Sequence, residues 1–161
     1  MTTQGSVAPE ESTLRREFAI ERYRYILQQI HTVNENVYRF LGIYQALATA
    51  LTGGALALFV GYRRWNIEPS VARGGVIGLL SLTSVVAAFT IMLVLVGALS
   101  WLDYRNEECD VTDAMVGIDF RKRPRTGNLF RWYETYVILF IATSIIAMWT
   151  LAAIFVLSEM K

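Results

Sequence analysis

Three stretches without a single Lys, Arg, Asp or Glu, residues 40–62, 75–102 and 136–157, dominate this chain of 161 residues. Each reaches the length of about 20 residues at which a helix spans a hydrocarbon core of roughly 30 Å. Buried helices of water-soluble domains keep a polar face and seldom hold more than about 14 wholly apolar positions. Composition agrees with the pattern, because 54% of the residues are hydrophobic and only 18% are charged. The expected fold is an all-α integral membrane protein with three transmembrane helices, the second and third joined by a cytoplasmic loop over 103–135.

Charge orients the spans. The N-terminal segment and the loop between the second and third spans share one side and hold Arg15, Arg16, Arg22, Arg24, Arg39, Arg105, Arg121, Lys122, Arg123, Arg125 and Arg131. The opposite side holds only Arg63, Arg64, Arg73 and Lys161. The positive-inside rule then places the N-terminus in the cytoplasm and the C-terminus outside, in the cell (inner) membrane. Aromatic residues fall where headgroups would be: Tyr62 and Trp65 close the first span, Trp101 and Tyr104 the second, and Trp132, Tyr133 and Tyr136 open the third. The first 39 residues lack the basic start, short apolar core and small-residue cleavage site of a secretory signal, so the first span is expected to act as an uncleaved anchor. Cys109 is the sole cysteine and forms no internal disulfide, so no oxidising compartment is implied.

Residues 1–12 ("MTTQGSVAPEES") are polar, lack apolar periodicity and are expected to be disordered, leaving 13–161 as one helical membrane domain. Ser12 or Thr13 can cap a helix. Beyond it Ala19, Tyr23, Ile26, Ile30, Val33, Val37, Phe40 and Tyr44 recur at alternating spacings of four and three, a heptad stripe that enters the first span without a break. A long cytoplasmic amphipathic helix continuous with that span is expected, with Tyr23, Ile26, Ile30, Val33, Val37 and Phe40 as its assembly face. Two uses of the face stay open: packing on the chain's own second loop, or self-association into a helical bundle. His31, the only histidine, is expected on the solvated side of this helix.

Within the first span Gly42, Ala46, Ala50 and Gly54 stand four apart, a row of small residues that lets helix backbones approach closely. Gln45, Thr49 and Thr52 share another sector. They either line a narrow pore in an oligomer or hydrogen-bond across helices and close it. No ionisable group lies well inside any span, which argues against proton relays and transporters of charged substrates.

The loop after the second span segregates its charges. Asp103, Glu107, Glu108, Asp110, Asp113 and Asp119 precede "FRKRPRTGNLFR", residues 120–131. Asp103, Glu107 and Asp110 share a face if the helix continues past the membrane edge. Carboxylates so spaced can hold a divalent metal or work as an acid/base pair. The simpler reading is a solvated acidic face, paired with the basic run or with arginines of the N-terminal helix. Arg121, Lys122, Arg123 and Arg125 are expected to lie against anionic lipid headgroups, at roughly 1 kcal/mol per charge. No phosphate loop, paired-cysteine metal motif or serine-nucleophile elbow is present, so no enzyme, metal, cofactor or nucleic-acid partner is expected.

The helix "ERYRYILQQIHTVNENVYRF" feeding a small-residue span, the turn "YRRW" and a second span ending in "WLDYR" together resemble, over residues 14–110, the SLATT-type membrane effector domains of bacterial conflict systems. The third span departs from that layout, and the resemblance assigns no site residue. It implies a membrane effector. The functional expectation is a homo-oligomeric pore or membrane-perturbing effector assembled through the heptad helix. The alternative is a non-conducting anchor or regulatory subunit that recruits a partner protein on that helix.

Overall fold

A computed structural model describes residues 9–117, 121–124 and 132–159. Among these residues the chain is helical and has no strand. Its helices are α1 (Pro9–Gly61), α2 (Pro69–Met115) and α3 (Tyr133–Leu151). A wide π-helical turn, Ala152–Val156, and a last turn, Leu157–Glu159, prolong α3. All three helices are long and apolar enough to cross a membrane.

α1 begins at Pro9, ahead of the expected caps at Ser12 and Thr13. The fixed φ of proline suits the first helical position, where its missing N–H would have had no partner. The helix then runs for 53 residues, so the heptad stripe and the first apolar run belong to one element. α2 differs more from expectation. It continues to Met115, well past Leu102, so the first part of the expected loop over 103–135 is helix. Residues 103–116 contain neither Gly nor Pro, and Arg105 pairs with Glu108 one turn on, which supports helix propagation. Gly117, at φ 142°, supplies a conformation that side-chain-bearing residues rarely adopt and ends the run.

The connection between α1 and α2 is closed by a Schellman arrangement. Asn66 sits at φ 54°, its N–H bonds to the Arg63 carbonyl at 3.3 Å, and the Ile67 N–H bonds to the Tyr62 carbonyl at 2.9 Å. These bonds satisfy carbonyls that the helix end would otherwise leave open, and Ile67 packs on the buried cluster that contains Tyr62. Tyr62, the aromatic that closes the first apolar run, is also a buried residue of this cluster. Arg63 donates to its hydroxyl at 3.0 Å. Pro69 then opens α2 at the position that tolerates proline best.

Two compact units divide the chain. One combines α1 up to Glu35 with α2 from Leu99 and the segment that follows. The other combines α1 from Asn36, α2 up to Ala98, and α3 with its extension. In this second unit the buried cluster is Ala55, Tyr62, Ala72, Val76, Leu80 and Ala152. The inward row of α2 runs Ala72, Val76, Leu80, Thr83, Ala87, Thr90 and Val94, small or slightly polar side chains at spacings of four and three. Thr83 and Thr90 donate to the carbonyls one turn back, at 2.9 and 2.8 Å. The outward row carries Leu82, Val85, Phe89, Met92, Leu95 and Val96, all exposed. Large side chains outside and small ones within invert the pattern of a water-soluble bundle, and helices surrounded by lipid pack in this way. A hydrogen bond crosses between α2 and α3, from Trp149 Nε1 to Ser84 Oγ at 2.9 Å.

Candidate functional site

The polar chemistry of the chain is concentrated in the first unit, where the N-terminal part of α1 meets the end of α2. Glu108 is its centre. The side chain is 0% exposed, and a carboxylate taken out of water must be paired to remain charged. Three groups from three segments meet it. Arg105 bonds to it from the preceding turn of α2, Arg121 approaches Oε1 at 3.1 Å from the segment after α2, and the Tyr23 hydroxyl of α1 donates to Oε1 at 3.3 Å. Around this centre lie weaker links. Arg22 of α1 donates from both Nε and Nη2 to Glu107, at 3.1 and 2.5 Å, and Arg123 reaches Asp110 at 2.6 Å and Asp113 at 3.4 Å. Asp110 above all, then Asp113, holds the Arg123 guanidinium further into its charged form.

Four carboxylates therefore face four guanidiniums. The links are not equal. Exposed pairs such as Arg22 with Glu107 contribute about 0–1 kcal/mol, whereas removing one partner of a buried pair costs about 3–5 kcal/mol because it strands the other charge. Glu108 is the fully buried member of this network, so its pairing should matter most to the unit. Beside it Cys109 is a free thiol, also fully buried, and the Thr112 hydroxyl caps the carbonyls of Glu108 and Cys109 at 2.9 and 3.0 Å. An open apolar trough of ≈ 460 Å³ runs beside the network, between Ile20 and Leu27 of α1 and Val111 and Met115 of α2.

The second unit holds a different feature, an open groove of ≈ 700 Å³ between α1 and α3. Gln45, Thr49 and Thr52 line it together with Thr83 and Ser144, amid a mostly apolar wall that includes Tyr44, Phe140 and Met148. The α1 threonines satisfy themselves locally. Thr49 donates to the Gln45 carbonyl at 2.8 Å, and Thr52 to that of Ala48. Tyr38 and Tyr133 stack in the same unit with ring centroids 6.0 Å apart.

The chain matches no family model, no curated protein and no solved structure.

The expected site residues separate into those that the chain brings together and those that it leaves open. The heptad stripe is covered within the chain: Ile26 is 0% and Val37 5% exposed, Tyr23, Ile30 and Val33 are half-buried, and only Phe40 is exposed. What lies beside the stripe in the first unit is the helical end of α2. The small-residue row behaves otherwise. A side chain at Gly42 would meet nothing within 4 Å, Ala46 and Ala50 are exposed, and Gly54 alone has a neighbour, Leu79 Cδ1 at 3.7 Å. Close approach within the chain occurs instead at Gly75, where a Cβ would come within 2.6 Å of Leu58 Cδ2.

Of the four cations expected at lipid headgroups, Arg121 and Arg123 are held by carboxylates, Lys122 is exposed, and Arg125 lies outside the described residues. Glu107 and Asp110, two of the three carboxylates expected on one face, each hold an arginine, and Asp103 is exposed. Among the described residues no cluster of His, Cys, Asp and Glu is placed to hold a metal ion. His31 lies beside Glu35 at 3.2 Å on the solvated side of α1. Glu108 was not distinguished from its acidic neighbours by sequence. The available signal was its i,i+3 spacing from Arg105 in line with the buried row of α2.

Proposed function

We propose that this chain is a multi-pass protein of the inner membrane, N-terminus cytoplasmic and C-terminus outside, that acts as a homo-oligomeric pore or membrane-perturbing effector. One observation carries the reading: Gln45, Thr49 and Thr52 face an open groove and make no hydrogen bond to another helix of the same chain among the described residues. The Gln45 carboxamide is costly to leave against hydrocarbon without a partner. A neighbouring copy or a file of water satisfies it, and either implies assembly around the groove. The exposed row Gly42, Ala46 and Ala50 supports the same reading, since small residues on a lipid-facing surface permit another helix to approach. Because the groove wall is mostly apolar, conduction through it requires a rearrangement.

The test is efflux of ions and graded dyes from liposomes holding the purified protein, beside a Gln45→Leu, Thr49→Val variant. Leakage that depends on protein and changes with the variant supports the pore. Leakage that ignores the variant removes the groove from the reading. A second reading, a non-conducting anchor or regulatory subunit, is favoured by the apolar trough at Ile20, Leu27 and Met115, which offers a partner segment an apolar seat. Tight liposomes, together with loss of partner capture in Leu27→Asp, would support it.

A further inference from the structure

Among the described residues that follow α2, two are tied to the helix pair by charge. Arg121 and Arg123 turn back onto Glu108, Asp110 and Asp113, while Lys122 between them is exposed and has no ion pair among the described residues. The two arginine side chains remain 37% and 60% exposed, so an outside anion can reach them without prior unfolding. A guanidinium presents the same forked donors to a phosphate as to a carboxylate. Glu108 stands six residues beyond Leu102, roughly 9 Å of helix, which is about one Debye length in physiological salt.

We propose that residues 121–124 form a strap that anionic phospholipid headgroups capture, in competition with Glu108, Asp110 and Asp113, and that capture loosens the helix pair beneath. The inference rests on the membrane reading given above. The exposed Arg123 links are marginal, and Arg121, 37% exposed, leaves Glu108 with two other partners, so three cations drawn together to an anionic bilayer surface bring the two states close enough for lipid composition to shift them. The headgroup gains three cations together, Arg121, Lys122 and Arg123. Glu108 keeps Arg105 and Tyr23 but loses one of its three partners, so its buried charge is less well compensated and the α1–α2 contact in this unit opens more often. The strap thereby makes the helix pair a sensor of membrane charge.

Cys109 reports the opening directly. It is the only thiol in the sequence, it is fully buried, and it adjoins Glu108. The full chain is incorporated into nanodiscs of zwitterionic lipid or of the same lipid with phosphatidylglycerol, and reaction of Cys109 with uncharged N-ethylmaleimide is followed at one pH. The anionic discs should raise the rate roughly tenfold. Lys122→Gln, which disturbs none of the described ion pairs, should reduce the rise while leaving the zwitterionic rate unchanged. Arg121→Gln should react fast in both lipids, with helical content by circular dichroism verifying that the chain is folded.

Equal rates of the unaltered chain in the two lipids would overturn the proposal. So would a full response retained in Lys122→Gln together with Arg123→Gln. A rise in zwitterionic discs on adding soluble glycerophosphate would assign the anion to solution and overturn the lipid source. Failure of the chain to enter discs at all would count against the membrane reading instead, so the two failures are distinguishable.

Discussion

The two units solve the same problem, holding helices together, with opposite chemistry. Where α1 meets the end of α2, arginines and carboxylates fasten the helices around one fully buried glutamate. In the other unit the inward row is Ala, Val, Leu and Thr, and a Trp–Ser hydrogen bond crosses between α2 and α3. Ion pairs form where water is at hand to solvate their outer members. Small-residue packing forms where no drive exists to bury large apolar side chains, because the surroundings are as apolar as the core. The same helix, α2, changes from one chemistry to the other along its length, and the change coincides with the end of its apolar run.

That contrast can be broken most severely at Glu108. Glu108→Ala removes the carboxylate shared by Arg105, Arg121 and Tyr23 and should cost about 1.5–3 kcal/mol, read as a lower thermal midpoint of helical signal and faster labelling of Cys109. Overpacking probes the other unit: Ala87→Leu inserts bulk into the buried row and should cost about 1–3 kcal/mol, while Phe89→Leu, on the outward row, should cost under about 0.5 kcal/mol. Trp149→Phe removes the hydrogen bond to Ser84 and should cost about 0.6–2 kcal/mol. Glu107→Gln is the mildest, at about 0–1 kcal/mol. Salt sharpens the comparison. At about 1 M ionic strength the Debye length falls to about 3 Å, so the effect of Glu107→Gln should shrink, whereas that of Trp149→Phe should not change.

Sequence reasoning read one half of each helix pair better than the other. The stripe of α1 was legible because polar residues such as Gln28, Gln29 and Asn34 separate its apolar members, so a periodicity existed to be seen. The inward row of α2 was not legible: Val76 and Leu80 point in, Leu82 and Val85 point out, and hydrophobicity alone does not tell them apart. Size separates only part of the row, since Ala72, Thr83, Ala87 and Thr90 point in while Phe89 and Met92 point out. The extension of α2 to Met115 was hidden by charge, because a run of acids looks like a solvated loop until the arginines that neutralise it are placed. Arg22 and Tyr23 lie 85 residues away from Glu107 and Glu108, a separation that no local pattern encodes.

The small-residue row shows the converse. Its spacing permits close approach but does not say to what, and within this chain the approach happens at Gly75. Gly61 has a local role of the same kind: a Cβ there would come within 2.7–2.9 Å of the Trp65 ring, so Gly61→Ala should distort the connection and lower the thermal midpoint.

The closed turn after α1 bears on how the chain reaches its final state. With its helix-end carbonyls already satisfied and Ile67 tucked beside Tyr62, the connection leaves few backbone groups to be dehydrated one by one. If α1 and α2 cross a bilayer on the proposed orientation, Arg63 and Arg64 stand at the tip of the hairpin and would have to be carried across. Arg63 has its guanidinium bonded to the Tyr62 hydroxyl and lying 5.7 Å from that ring's centroid, contacts that would partly replace the water lost on such a crossing.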